Sequence, residues 1–325
     1  MNGALPGCVV VALGGNAIAP RGTAGTAEQQ HSQIAKAMAS VARLVADGGR
    51  VVLTHGNGPQ VGNLLTKNLL ARDVVPPMPL HWCVAQTQGT IAYAMVNALE
   101  AELAARGVSR LVIPLVSRVL VRGDDPAWLR PNKPIGRYVS EAEAADMRAR
   151  FPDQSWNPSP AGWRRVVPSP EPIESLDLPA IRALLDSGAV VIANGGGGIP
   201  VVRGPDGELQ GVEAVVDKDL SAARLAIELD ADHLAILTDV PGVAVDYGGP
   251  NERWLDAVDT GELRHIQDQG TFGEGSMGPK VEAVLRFVEA TGREATIGAL
   301  ERATDALRGQ HGTRVVAPGR LGVGS

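Results

Sequence analysis

Short Val-rich apolar runs alternate along this chain with longer stretches in which Ala and Leu recur among polar residues at helical spacing. CVVVAL (8–13), RVVLT (50–54), RLVIPLV (110–116), AVVIAN (189–194) and HLAILT (233–238) read as strands, with ATIGA (295–299) and TRVVA (313–317) as weaker ones. Between them the pattern predicts helices over 27–47, 59–71, 83–106, 178–187, 219–230 and 278–291. Near-continuous apolar strands separated by amphipathic helices indicate an α/β fold, a mostly parallel sheet covered by helices on both faces. Four strand ends run straight into turn-forming residues: GGNA, HGNGP, GGGGIP and DVPG, after the first, second, fourth and fifth strands. Ligands of open α/β sheets bind in the crevice at the carboxyl ends of the strands, where these four loops could meet.

Residues 118–172 break the rhythm. They carry many prolines, the run NKPIGRY, and three of the five tryptophans, Trp128, Trp156 and Trp163. This composition predicts an inserted lid or small subdomain, with SEAEAADMRAR as a helix inside it.

The 325 residues suffice for one large α/β domain or two smaller ones. Aromatics make up only 3% of residues, so the core must be mostly Val, Ala, Leu and Ile. A net charge of −6 argues against a dedicated nucleic-acid binder. Cys8 and Cys83 match no metal spacing and imply no disulfide framework, so a reduced cytoplasmic protein is expected. The run at 8–13 is too short for a signal-peptide core or membrane span, and no Lys or Arg precedes Arg21.

The kind of positive charge is more telling than its sum. Only five of the thirty basic residues are lysines, and Lys133, Lys218 and Lys280 lie in stretches dense in Gly, Pro and Asp. A flexible ammonium can follow a moving phosphoryl group better than a rigid guanidinium fork. Lys36 and Lys67, at helical spacing among Ala, Leu, Gln and Asn, read as solvated surface. The loops Gly14-Gly15-Asn16, Gly56-Asn57-Gly58 and Gly195 to Gly198 allow backbone N–H groups to approach an anion closely. Pro59 marks a helix start directly behind the second loop. The spacing GxGxxxG there is one residue longer than the dinucleotide fingerprint, and the chain has neither a P-loop nor the protein-kinase motif set.

In VVDKDLSAA, Lys218 is flanked by Asp217 and Asp219 at the mouth of a helix, which reads equally as an Asp N-cap and as a charged site. In GSMGPKVEA, Lys280 stands in a first helical turn, where a cation opposes the helix dipole unless an anion joins it, so a polyphosphate is implied. The six histidines show no ligand spacing, and a structural role is favoured for each, including His55 beside the second glycine loop.

Taken in order, VVALGGNAI, THGNGPQVGN, NKPIGRYVSEAEA, WRRVVPSPEPIE, NGGGGIPVV, EAVVDKDLSAA, LTDVPGV and GSMGPKVEA strongly resemble the carbamate kinases, a branch of the amino-acid kinase family. The resemblance runs from about residue 9 to 317 and implies one amino-acid kinase domain over 1–325. It implies a three-layer αβα sandwich with a mainly parallel eight-stranded sheet, a small protruding subdomain, and a homodimer without membrane or nucleic-acid partners. The implied reaction is reversible phosphoryl transfer between ATP and carbamate, giving ADP and carbamoyl phosphate with Mg²⁺.

Carried over by resemblance, Gly14, Gly15, Asn16, Gly56, Asn57, Gly58, Gly196 and Gly197 would hold carbamate and the transferred phosphoryl. Lys218 and Lys280 would contact the polyphosphate, Asp219 would orient them, and Thr238, Asp239, Tyr247 and Met277 would lie near the nucleotide. Sister kinases place a lysine in the first strand where this chain has Ala12, and Lys133 in KPIG stands where the branch supplies the missing charge from its subdomain. Arg137 stands where the branch more often has Pro. A sister kinase acting on a carboxylate and a non-catalytic nucleotide sensor remain as alternatives, opposed respectively by Ala12 with KPIG and by the intact set of charges.

Overall fold

β-branched residues favour a pleated backbone and are stiff at χ1, so runs of Val and Ile bounded by glycines settle as strands wherever both faces can be covered. The computed structural model describes residues 7–15, 26–273 and 277–321. The chain begins with β1 (Cys8–Leu13), α1 (Ala27–Ala46), β2 (Arg50–His55), α2 (Gly58–Ala71), α3 (Leu80–Ala105), β3 (Val112–Pro114) and β4 (Arg118–Val121). A middle stretch forms β5 (Lys133–Val139), α4 (Glu141–Arg150), β6 (Ser155–Ser159), β7 (Gly162–Val167) and β8 (Pro172–Ser175). Next come α5 (Leu178–Asp186), β9 (Val190–Ile192), β10 (Ile199–Arg203), β11 (Leu209–Gly211), α6 (Lys218–Leu229) and β12 (His233–Thr238). The remainder is β13 (Val243–Val245), β14 (Arg253–Leu255), β15 (Ala257–Asp259), α7 (Thr260–Asp268), α8 (Met277–Thr291), β16 (Ala295–Ala299), α9 (Ala303–Leu307) and β17 (Thr313–Val316).

Eight strands form the main sheet in the order β15-β17-β16-β12-β1-β2-β9-β3, parallel at every pairing except β16 with β17. The two-residue period of a strand divides β1 between two cores. Val10 and Ala12 join Val52, Ile236, Ala222 of α6 and Phe287 of α8, while Val9, Val11 and Leu13 join Leu53, Met38 of α1 and Met95 of α3. Helices therefore cover both faces, the three-layer arrangement expected from the sequence.

The boundaries moved where tertiary context outweighs local pattern. The strand expected at 110–116 shrinks to β3, because it lies at the sheet edge and leaves Leu111 and Val116 exposed. α3 begins at Leu80 rather than at residue 83, since Pro79 holds the extended N-cap position that precedes it. The hairpin β13–β14, strand β15 and helix α7 were not anticipated. Three-residue strands carry too little periodicity, and α7 is largely polar, although Asp259 caps it by accepting the Glu262 N–H at 2.9 Å.

Within 118–172, β4 joins a second sheet of order β11-β10-β4-β8, while β5, β7 and β6 form a separate three-stranded sheet with α4 beside it. This smaller unit is held together by apolar and cation–π contacts. Arg148 lies 4.5 Å from the Trp163 ring centroid. It rests on α2 through Ile135 and Val167, which pack with Val61 and Leu65. Contact is closest at Gly62 and Gly136: a Cβ on Gly62 would lie 2.0 Å from the Gly136 Cα, and Gly136 itself has a φ of +72°. Gly62→Ala should therefore push β5 off α2, at about 1–3 kcal/mol as for other overpacked contacts. Hydrogen exchange of β5 amides should accelerate while β1 and β12 stay protected; unchanged β5 protection would contradict the contact.

Two buried histidines set the acid stability. His233 in β12 has its Nε2 3.0 Å from Thr296 Oγ1, and burial lowers its pKa from 6.5 to about 4. His55 in β2 is lowered to about 4 as well, chiefly by burial, with the Gly56 carbonyl opposing and Lys218 adding to the shift. The folded state refuses protons that the unfolded chain accepts between about 6.5 and about 4, so stability is complete above that window and falls as pH drops through it. Each histidine should contribute a loss of about 3 kcal/mol. Denaturant titrations across pH should show the decline, and His233→Gln should reduce its slope.

Candidate active site

β12, β1, β2 and β9 are neighbours and all parallel, so their carboxyl ends place Thr238 and the glycine segments that begin at Gly14, Gly56 and Gly195 along one edge of the sheet. The ladder continues one residue past the strands: Gly14 N–H donates to the Leu237 carbonyl at 2.8 Å and Gly56 N–H to the Leu13 carbonyl at 3.2 Å. Absence of side chains lets the loops touch. A Cβ on Gly56 would lie 3.1 Å from the Gly15 Cα and 3.4 Å from the Lys218 Cδ. One on Gly196, whose φ is +67°, would meet Asn57 Nδ2 at 2.2 Å, and one on Gly197 would meet the Val216 carbonyl oxygen at 2.2 Å. Gly58 opens α2 behind Asn57, with Pro59 in its first turn. Asn16 lies outside the described residues.

A buried polar frame fixes these loops, and of its members sequence reading had named Asn57 and His55 but not Gln88, Thr87, Thr54 or Ser117. Gln88, in the middle of α3, donates to the carbonyls of Gly195 at 2.9 Å and Ser117 at 3.1 Å, and accepts the Ser117 N–H at 2.9 Å. Asn57 donates to Thr87 Oγ1 at 2.8 Å. Thr54 Oγ1 donates to the carbonyl of Asn194, whose left-handed backbone (φ 50°) turns the chain into the glycine run. The only sequence signal was the pair Thr87-Gln88 interrupting an otherwise apolar helix face. His55 donates from Nδ1 to the Gly56 carbonyl at 3.1 Å, so its neutral ring leaves Nε2 unprotonated. That atom is buried with no hydrogen-bond partner, so the structural role expected for His55 leaves one ring nitrogen unsatisfied.

Above this frame lie the three lysines and two carboxylates. Asp219, 3% exposed in the first turn of α6, accepts Lys218 Nζ on Oδ1 and Lys280 Nζ on Oδ2, the latter at 3.0 Å. Asp217 is the α6 N-cap: its Oδ1 accepts the N–H groups of Asp219 and Leu220 at 2.8 and 3.2 Å, while Oδ2 accepts Lys133 Nζ from β5. Both readings of Asp217, cap and charged partner, are thus realised together. Lys36 and Lys67 are exposed on α1 and α2.

Burial works against the charge on Asp219, but Lys218 and Lys280 outweigh it and hold the carboxyl well below the usual range. The two lysines diverge although they share this carboxylate. Burial depresses Lys218, only partly offset by Asp219 and aggravated by Lys280, whereas for Lys280 burial is outweighed by Asp219, Asp217 and Asp239, so its pKa rises.

The remaining sequence-derived residues stand at the end of β12, in the β13–β14 connection and at the start of α8. Thr238 is buried at the end of β12 and donates from Oγ1 to Asp239 Oδ1 at 3.0 Å. Met277 opens α8 and packs on the core beneath α6 and α8. Tyr247 is 71% exposed between β13 and β14, its ring edge-on to Trp254 at 5.9 Å. Among the described residues no group of three or more His, Cys, Asp or Glu is arranged to hold a metal ion, and no helix is long and apolar enough to cross a membrane.

The model of the amino acid kinase family matches residues 7–299. The carbamate kinase of Thermococcus kodakarensis is 46% identical over 314 residues, which cover 95% of this chain and 98% of that protein. Among solved structures, the carbamate kinase of Giardia lamblia bound to AMP-PNP superimposes with a TM-score of 0.89 at 40% identity, covering 97% of this chain and 100% of that one. A protein from Aeropyrum pernix K1 gives a TM-score of 0.91 at 46% identity over 95% of this chain and 99% of its own.

Asp219→Asn should leave two buried ammonium groups without a shared counter-charge, a loss of about 3–5 kcal/mol for a broken buried pair. Thermal denaturation should show a lower midpoint, partly restored by tripolyphosphate. A midpoint equal to that of the unsubstituted protein would contradict the electrostatic role.

Proposed function

The chain belongs to the amino acid kinase family, and we propose that it is a carbamate kinase, transferring a phosphoryl group reversibly between ATP and carbamate. The observation that carries this reading is the set of three lysine ammonium groups held by Asp217 and Asp219 beside adjoining glycine segments. Identity of 46% over nearly the full length of a carbamate kinase supports the choice of substrate within the family.

The glycine segments at Gly14, Gly15, Gly56, Asn57, Gly58, Gly196 and Gly197, with Asn16, hold carbamate and the transferred phosphoryl through backbone N–H groups that need no reorganisation. Lys218 and Lys280 contact the nucleotide phosphates and neutralise charge as the phosphoryl moves. Asp219 keeps both ammonium groups aimed at the same point. Lys133 brings the third charge from the β5–β7–β6 unit, which acts as a lid over the site within 118–172. Its contribution replaces the lysine that sister kinases carry where this chain has the buried Ala12. With the acceptor oxygen of carbamate and the leaving oxygen of ADP on opposite sides of phosphorus, transfer is direct and in line, and no enzyme side chain becomes phosphorylated.

Thr238, Asp239, Tyr247 and Met277 border the nucleotide. Mg²⁺ would be held chiefly by the nucleotide phosphates and would shield their charge, since both oxygens of Asp219 are already taken by lysines.

The active form is a homodimer, with the second copy covering the edge strand β3 and the outer face of α3. Leu111, Val116, Trp82 and Tyr93 are there 66%, 64%, 58% and 63% exposed. The protein works in the cytoplasm, consistent with two buried free cysteines.

The deciding assay is formation of ATP from ADP and carbamoyl phosphate by the purified protein. A kinase specific for a carboxylate substrate, or a nucleotide sensor, would make none. Lys218→Ala and Lys280→Ala should each lower the rate by about 10²- to 10³-fold, as for removal of one preorganised charge donor, with the circular-dichroism spectrum retained. Normal turnover by either variant would remove that lysine from the mechanism.

A further inference from the structure

Asp217 uses the two oxygens of one carboxylate for different partners. Oδ1 is fixed by two backbone amides at the start of α6, at 2.8 and 3.2 Å, and Oδ2 accepts Lys133 Nζ. The cap alone does not require an acid, because Asn or Ser closes a helix N-terminus about as well as Asp. Only a charged carboxylate can cap the helix and hold an ammonium at once. Its side chain is 10% exposed and that of Lys133 is 34% exposed, so the pair sits at the rim of the charge cluster, where water does not fully screen it.

The rigidity of one partner and the attachment of the other give the pair its meaning. Because two amides hold Oδ1, the position of Oδ2 is fixed relative to α6, the helix that carries Lys218 and Asp219. Lys133 is the first residue of β5, in a unit whose strands pair only with one another among the described residues. Eighty-four residues separate the two side chains in sequence, and their contact joins this unit directly to the helix that bears the catalytic charges. The charge on Asp217 also acts on Lys218 and Lys280, opposing at each the burial that disfavours the ammonium, so it belongs to the same electrostatic field.

We propose that Asp217 is a positioning residue: its Oδ2 docks the β5–β7–β6 unit by capturing Lys133, and so sets that ammonium beside Lys218 before phosphoryl transfer. Asp219 serves Lys218 and Lys280, and Asp217 serves Lys133. The docking also offsets the repulsion that a third ammonium would otherwise meet on approaching the other two. An incoming phosphoryl then finds Lys133 already placed.

The inference rests on the phosphoryl-transfer reading for its kinetic part and on geometry alone for its docking part, and the two are tested separately. Asp217→Asn keeps the cap, so its melting temperature should stay close to that of the unsubstituted protein, while kcat should fall on the order of 10²-fold, the scale of a misplaced catalytic group. In a Lys133→Met background the same substitution should change kcat less than about twofold, because two residues acting through one contact are not additive. An equal further loss in that background, or full activity of Asp217→Asn alone, would overturn the proposal. A purely capping role would instead leave Asp217→Asn fully active and lower the melting temperature only in Asp217→Ala, and that outcome would overturn the proposal.

Hydrogen exchange read without any substrate supplies the second arm. β5 and β7 amides should exchange faster in both Asp217→Asn and Lys133→Met, and unchanged exchange would overturn the docking. Should the unsubstituted enzyme make no ATP from carbamoyl phosphate, the substrate assignment fails while the exchange experiment still decides whether Asp217 docks the unit.

Discussion

Two ammonium groups can be buried within reach of each other only if a carboxylate lies between them, and here that carboxylate is Asp219. The requirement shapes the surrounding fold. Lys218 and Asp219 stand in the first turn of α6 and Lys280 in the first turn of α8, so the starts of both helices must converge above the same strand ends. Small residues let them do so: Ala222, Ala223, Ala226 and Ala283 lie in one buried cluster beneath the site. Both helices then direct the positive ends of their dipoles at the cluster, in which three ammonium groups face two carboxylates. Ammonium groups held in place at the positive ends of two helices favour an anion there.

A polyphosphate also needs hydrogen-bond donors that come close without displacing one another, and the glycine loops supply the room. Gly56, Gly196 and Gly197 lie so near their neighbours that ordinary side chains would force the segments apart. Glycine alone would leave the loops loose, since it loses more conformational freedom on folding than any other residue. Gln88, Ser117, Asn194 and Thr54 offset that looseness with buried hydrogen bonds from neighbouring elements. Flexibility in the sequence has become rigidity in the fold because the polar frame is nearly fully bonded. His55 Nε2 and Asn194 Oδ1 are two buried atoms in it without a partner.

The smaller sheet of β5, β7 and β6 adds the third lysine from a separate body. Its contact with α2 depends on the missing side chain of Gly62 and on the positive φ of Gly136, and an ion pair ties it to α6. Both are narrow attachments compared with the continuous cores on either face of the main sheet. α2 also begins at the Asn57-Gly58 loop, so the packing of this unit and the shape of the anion cradle share one helix.

Much of this was legible along the chain, and the parts that were not have a common cause. Strand positions at 8–13, 233–238 and 295–299, the helix starts behind Pro59 and Asp217, and the meeting of glycine loops at one sheet edge follow from period-two and helical patterns and from turn chemistry, all local properties. Residue motifs over nearly the whole length carried the family and its three-layer fold. Hidden from the sequence were β15 and α7, the role of Gln88, and the second partner of Asp217. Short edge elements have too few residues to show a period, and a side chain's partner across 84 residues depends on how whole units pack. The sequence by itself determined which residue types could handle a phosphoryl group and on which elements they stand. Only the tertiary structure decided which carboxylate serves which lysine, because that pairing is set by distances between elements rather than by spacing along one.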